Sequence, residues 1–325
     1  MHRLLFLFFY ALLIIRAADG DQQFVTLGDF TLGSGEAIRD CKIGYRTFGQ
    51  LNETKSNAIL WPTWFGGRTQ DLLTFVGAGK VIDPSRFFVV LVDALGNGVS
   101  SSPSNGSKPF PRFTPRDMVN SQHALLTGHL GIQHLHAVVG ISMGGMQTFE
   151  WITAYPNFMD RAVPIIGSPK LATPDLLLWG GQLGVIELAE SSPGADQLAA
   201  MRVVMSMHQF ALTTPEYRAA QTPSADWGKY KKTFEAGAGE RVSAADWASQ
   251  LRAMMATMAG PPESVKAKLL VVVATQDHMV NPAPAIEFAE RIYAPILRLE
   301  GNCGHLATGC ESAKFTAAVR RFLEQ

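Results

Sequence analysis

The chain has 325 residues, enough to bury a sizeable core, and 47% of them are hydrophobic, which excludes wholesale disorder. Lys+Arg and Asp+Glu balance at 28 each, so there is no basic surplus to hold phosphate backbones and nucleic-acid binding is excluded. Three cysteines, at 41, 303 and 310, have no metal-site spacing, and no metal or cofactor is implied.

Residues 1–20 read as a secretory signal peptide: a short polar or positive start at His2 and Arg3, an apolar run from Leu4 to Ile15, then small residues at Ala17, Ala18 and Gly20. That run is short for a bilayer span, and cleavage after Gly20 fits the small-x-small rule. An uncleaved anchor is the rival reading. The expectation is a secreted or periplasmic chain with no stable membrane insertion after cleavage. In such a compartment Cys303 and Cys310 could bridge, leaving Cys41 buried and inert; three free thiols is the alternative.

From Gln23 to Phe48 an alternating pattern, broken by glycine and charge, predicts an opening pair of antiparallel strands. Asn57 to Trp64 is the next strand and runs into Pro62-Thr63-Trp64-Phe65-Gly66-Gly67, where paired glycines let backbone approach a ligand. Phe87 to Val92 is another apolar strand, ending at Asp93, whose expected role is to organise the loop that follows. Thr114 as N-cap with Pro115 behind it opens a helix to about Leu130.

Leu135 to Ile141 then reads as a buried parallel strand. It enters Gly140-Ile141-Ser142-Met143-Gly144, a strand–turn–helix context that puts Ser142 on a strained corner, with a helix from Met143 to Tyr155. Arg161 to Gly167 gives one more strand, after which the pattern stops. Residues 169–262 read as helices over Leu171–Ala189, Gly194–Leu212, Pro215–Gln221 and Ala244–Met258, an inserted cap between two parts of a core, 21–168 and 263–325. Its methionines (201, 205, 207, 254, 255 and 258) are core or line an adaptable pocket. Lys268 to Thr275 restores the sheet, Ile296 to Leu299 is a last strand, and Ser312 to Leu323 a closing helix. Apolar strands alternating with helices predict a mostly parallel central sheet flanked by helices on both faces.

A serine hydroxyl needs a base to accept its proton, and a carboxylate on the far imidazole nitrogen fixes the tautomer. Ser142, Asp277 and His305 occur in that order, each just past a predicted strand, and parallel strands bring those ends to one edge. His123, His134, His136 and His208 are placed less well, His278 is the nearest rival to His305, and Asp93 is second to Asp277. The backbone N–H groups of Met143 and Trp64 are the expected oxyanion donors, and Phe65, Gly66, Gly67 and Met146 the expected pocket residues.

The stretch VVGISMGGMQTFEWITAYP (Val138–Pro156) resembles the nucleophile segment of homoserine O-acetyltransferases, a branch of the α/β-hydrolase fold. GYRTFGQLN (Gly44–Asn52), DALGNGVSSSPSN (Asp93–Asn105), FTPRDMVNSQHALL (Phe113–Leu126) and TQDHMVNP (Thr275–Pro282) extend the likeness. The resemblance implies an acyl-enzyme on Ser142, the same Asp277 and His305, and an oxyanion hole from Met143 and the Pro62–Gly67 loop. Where that family carries a His-Ala-Leu-Thr-Gly-like stretch, this chain has Pro62-Thr63-Trp64-Phe65-Gly66. No arginine among Arg202, Arg218, Arg241 and Arg252 stands out as a reader of the homoserine carboxylate. The expectation is a serine esterase acting on an ester or amide of a small acyl group. An O-acyltransferase of the same mechanism is the alternative, a non-catalytic binding protein the third. The partner is a small-molecule ester or acyl substrate, and the cap leaves room for a homodimer.

Overall fold

A computed structural model describes residues 19–237 and 243–325; most of the expected signal peptide, residues 1–18, lies outside them. The amino-terminal strands are β1 (Gln23–Thr26), β2 (Phe30–Thr31), β3 (Ala37–Ile38) and β4 (Lys42–Phe48). β5 (Ala58–Pro62), β6 (Phe88–Val92), helix α1 (Pro115–Ala124) and β7 (Leu135–Ile141) lead to α2 (Met143–Ala154) and β8 (Met159–Ile165). The helical insert holds α3 (Thr173–Ser191), α4 (Gln197–Leu212), α5 (Pro215–Gln221), α6 (Trp227–Ala236) and α7 (Ala244–Met255). β9 (Lys268–Leu269), β10 (Val271–Ala274), α8 (Ala283–Arg291), β11 (Ile296–Leu299), α9 (Ala307–Cys310) and α10 (Ser312–Leu323) complete the chain.

The main sheet runs β1-β4-β6-β5-β7-β8-β10-β11, with β9 beside β8. β1 and β4 are antiparallel to their neighbours, as in the register Phe24–Gly44 and Tyr45–Val92. From β6 to β11 every pairing is parallel. Alternate residues of each strand therefore serve opposite faces. Leu60, Val90 and Val138 pack with Met118, Phe149 and Phe288 on one side. Ile59, Trp61, Leu91 and Val139 pack with Leu72, Phe315 and Val319 on the other. Burial on both faces is why these strands read as unbroken apolar runs.

Two readings shift for physical reasons. The run from Lys268 to Thr275 is two strands: β9 pairs with β8 alone, and β10 lies between β8 and β11. The helix opened by Thr114 is α-helical only to Ala124 and widens into a π turn over Leu125–His129, where Leu130 N–H donates to Leu125 O. α6, α8 and the one-turn α9 are three helices the apolar spacing did not reveal; α6 buries only Phe234.

Candidate active site

Ser142 stands between β7 and α2 with φ 57° and ψ −120°, a left-handed conformation that costs a non-glycine residue about 1–3 kcal/mol and is held by its surroundings. Its N–H donates to Ile165 O at 2.8 Å, tying the corner to β8. A Cβ on Gly140 would lie 2.1 Å from Gly144 O, and one on Gly144 would lie 2.7 Å from Pro62 O. Only hydrogen fits where strand, turn and helix cross, so the two glycines allow the corner to exist.

Three side chains distant in sequence meet there. His305 Nε2 is 2.9 Å from Ser142 Oγ, and His305 Nδ1 is 2.7 Å from Asp277 Oδ2. Asp277 Oδ1 accepts the N–H groups of Met279 (2.8 Å) and Val280 (3.0 Å), which fixes the carboxylate just beyond β10. Ser142, Asp277 and His305 are 9%, 8% and 9% exposed, so the line of hydrogen bonds is shielded while the serine stays reachable.

The rival residues have other partners. Asp93 is buried and accepts hydrogen bonds from Thr69 N–H (2.9 Å), Asn97 Nδ2 (3.0 Å) and Gln22 Nε2 (3.0 Å), which organises its loop. Burial pushes its carboxyl above the usual range against those hydrogen bonds. His278 is exposed, and His123 stacks on Tyr155 at 4.1 Å between ring centroids.

The Met143 N–H sits at the first turn of α2 and the Trp64 N–H in the loop after β5; neither has an acceptor among the described residues. That loop is pinned from two sides. Trp151 Nε1 donates to Gln122 Oε1, Gln122 Nε2 to Gln147 Oε1, and Gln147 Nε2 to Thr63 O, at 2.8, 2.6 and 3.1 Å. From α7, Gln250 Oε1 accepts Gly66 N–H (2.8 Å) while its Nε2 donates to Leu95 O (2.9 Å). Sequence reasoning missed these glutamines. The available signal was a polar residue on an otherwise buried helix face, as Gln147 is on α2.

Above Ser142 and His305 lies a cavity of about 330 Å³, at the small end of ligand pockets. Trp64, Phe65 and Phe75 line it from the core, and Trp179, Gln182, His208 and Leu251 from the insert. Among the described residues no Lys, Arg, Asp or Glu lines it. Burial, then the nearby His305, pushes the His208 imidazole below its ordinary range, so this roof is uncharged at neutral pH. Of the expected pocket residues, Phe65 is on the wall, and Gly66, Gly67 and Met146 are not. Gly66 commits its N–H to Gln250, Gly67 lies where a Cβ would strike the Trp64 indole, and Met146 turns into the core to accept from Thr257 Oγ1 at 3.7 Å. Of the six methionines of the insert named from the sequence, Met254 alone reaches the cavity. Arg202 is exposed, Arg218 lies over the Tyr230 ring, and Arg252 pairs with Glu187; Arg241 is outside the described residues.

The loop that carries His305 is held at both ends. Cys303 and Cys310 form a disulfide with Cα atoms 6.5 Å apart. Gly304 has φ +61°, and a Cβ there would lie 3.1 Å from the Thr213 backbone at the end of α4. Thr214 Oγ1 donates to Asn302 O at 2.6 Å. Cys41 is the free cysteine among the described residues, and burial pushes its thiol up to about 12. Loop-closure entropy for so short a ring is worth about 2–3 kcal/mol. Reduction, or the Cys303→Ser/Cys310→Ser pair, is therefore expected to lower Tm by about 5 °C and to slow turnover by releasing the imidazole loop. Scanning calorimetry and an ester assay with and without a phosphine reductant read both effects. Unchanged values would mean that the bridge steadies nothing.

Comparison with known proteins places the fold. A family model described as the alpha/beta hydrolase fold matches residues 65–308. An ethyl acetate hydrolase of Pseudomonas veronii is 40% identical over 164 residues, 49% of this chain and 47% of that relative. A homoserine O-acetyltransferase of Methanococcoides burtonii is 28% identical, with 91% of this chain and 72% of the relative covered. The solved structure of an acetylester hydrolase from Corynebacterium glutamicum superposes with a TM-score of 0.85 at 24% identity, covering 94% of this chain and 96% of that one, a likeness of fold. The chain spans about half the length of the curated esterases it matches. The corner serine, the strand order and the extent of the family match lead to one conclusion: this chain belongs to the α/β hydrolase fold family.

Proposed function

We propose that the protein is a secreted serine esterase that hydrolyses a small, uncharged carboxylic ester. The observation that carries the reading is the continuous line from Asp277 through His305 to Ser142 at the floor of a cavity with no charged side chain among the described residues. Ser142 Oγ attacks the ester carbonyl as His305 Nε2 takes its proton, and Asp277 steadies the imidazolium. The oxyanion is received by the Met143 and Trp64 N–H groups. His305 returns the proton to the leaving alcohol, then takes one from the water that attacks the acyl-enzyme, and Ser142 is regenerated.

An acyltransferase remains the second reading, favoured by the homoserine O-acetyltransferase likeness across most of this chain. Homoserine is a zwitterion, and leaving its ammonium and carboxylate unpaired in this cavity is costly. Export is supported by the apolar run of residues 4–15 and by the disulfide, which persists in oxidising compartments. Amino-terminal sequencing of the exported chain should begin at Asp21. Leu177 and Leu188 of α3 and Phe210 of α4 are 73%, 68% and 77% exposed and support a homodimer through the insert, which sedimentation of the pure protein reads.

The decisive experiment follows the products of p-nitrophenyl acetate with and without excess acceptor alcohol or homoserine. The expected result is free acetate in both cases, at a rate the acceptor does not change. An acetylated acceptor as the main product would overturn hydrolysis. Failure of a fluorophosphonate to label the protein would overturn the serine mechanism itself.

A further inference from the structure

We propose that Gln182 determines specificity in this cavity, and that the preferred ester carries a second, uncharged oxygen (ether, ketone or hydroxyl) that accepts a hydrogen bond from the Gln182 side-chain amide. The proposal deepens the hydrolase reading and rests on it.

Gln182 lies on the inward stripe of α3, with Asp175, Trp179 and Ile186, and is 0% exposed. A glutamine on such a stripe has to account for both ends of its amide. One end is accounted for: Oε1 accepts from Trp247 Nε1 at 3.3 Å. That bond also sets the orientation, because a flipped amide would turn NH₂ against the indole N–H. The other end, Nε2, has no acceptor among the described residues, and the residue lines the cavity above Ser142.

Neighbouring buried glutamines differ. Gln122, Gln147 and Gln250 each use both the oxygen and the nitrogen of the amide. An unpaired buried NH₂ is destabilising, so its occurrence on a residue that lines a cavity is informative. The surroundings narrow the partner further. His208 packs 5.1 Å from Trp247 and 5.9 Å from Phe65 between ring centroids, and the roof holds no lysine or arginine among the described residues. A carboxylate would be left without a counter-charge, whereas a neutral oxygen asks for one donor and finds it.

The test compares esters that differ by CH₂ against O at one position: pentyl acetate with 2-ethoxyethyl acetate and 3-methoxypropyl acetate, and ethyl butanoate with ethyl methoxyacetate. For the parent protein, at least one oxygen-bearing ester is expected to exceed its hydrocarbon counterpart about tenfold in kcat/KM, beyond the ratio for alkaline hydrolysis. In Gln182→Leu that excess should vanish. Trp247→Phe, alone and combined with Gln182→Leu, removes the effect of an orphaned indole, and Gln182→Met replaces the leucine variant if that one does not fold. An excess that survives Gln182→Leu, or no excess in the parent, overturns the proposal. Parent protein that turns over the plain esters without any excess defeats this inference alone. Parent protein that hydrolyses none of the esters defeats the hydrolase reading and this inference with it.

Discussion

Ser142→Ala is expected to lower kcat/KM by about 10⁵-fold and to leave the thermal midpoint close to that of the parent. The side chain that is lost is one hydroxyl, 9% exposed, whose hydrogen-bond partner is His305. The strained backbone at φ 57° is set by Gly140, Gly144 and the bond from Ser142 N–H to Ile165 O, and alanine keeps all three. What should remain is the weak acceleration that oxyanion donors and cavity supply without a nucleophile. Turnover of p-nitrophenyl acetate beside a melting curve reads both quantities. A folded variant with more than a hundredth of parental activity would remove Ser142 from the proposed mechanism.

Asp277→Asn should cost about 10⁴-fold in kcat, though it changes the side chain by little more than one proton. The reason is directional. Oδ1 is held by two N–H donors, from Met279 and Val280, so the asparagine oxygen stays there and its NH₂ faces His305. His305 Nδ1, 2.7 Å from the other carboxylate oxygen, can no longer donate and has to accept. The proton then sits on Nε2, the atom that must take the serine proton. Asp93→Asn makes the contrast: its partners are Thr69, Asn97 and Gln22, so its effect is expected in stability rather than in kcat. Asp277→Asn with more than a tenth of parental kcat would show that the carboxylate does not set the tautomer.

Much of this was legible in the chain because the physics was local. Leu135–Ile141 is an unbroken apolar run since β7 has neighbours on both edges and cover on both faces, and its bounds agree with the sequence reading. Thr114 and Pro115 announce α1, where Thr114 and Asp117 exchange hydrogen bonds. Ser142, Asp277 and His305 could be singled out because parallel strands deliver their far ends to one edge. The cavity wall was much less legible. Gln182 and Gln250 carry no local sign of their partners, because Trp247, Gly66 and Leu95 arrive from remote parts of the chain. Gly66, Gly67 and Met146 were expected on the wall because they neighbour it in sequence, yet their backbone and side chains are committed elsewhere. Trp227–Ala236 forms a helix with one buried side chain, too little apolar periodicity to stand out.

The close fit of Gly304 against Thr213, with Thr214 bonded to Asn302, has a consequence for rebuilding this protein. Transplanting a foreign lid onto this scaffold by cutting only at the two junctions of the insert would swap one half of that joint and leave its counterpart behind. A graft that carries residues 213–214 and 302–304 as a single cassette would keep the joint matched, so the lid and the imidazole turn are best exchanged together.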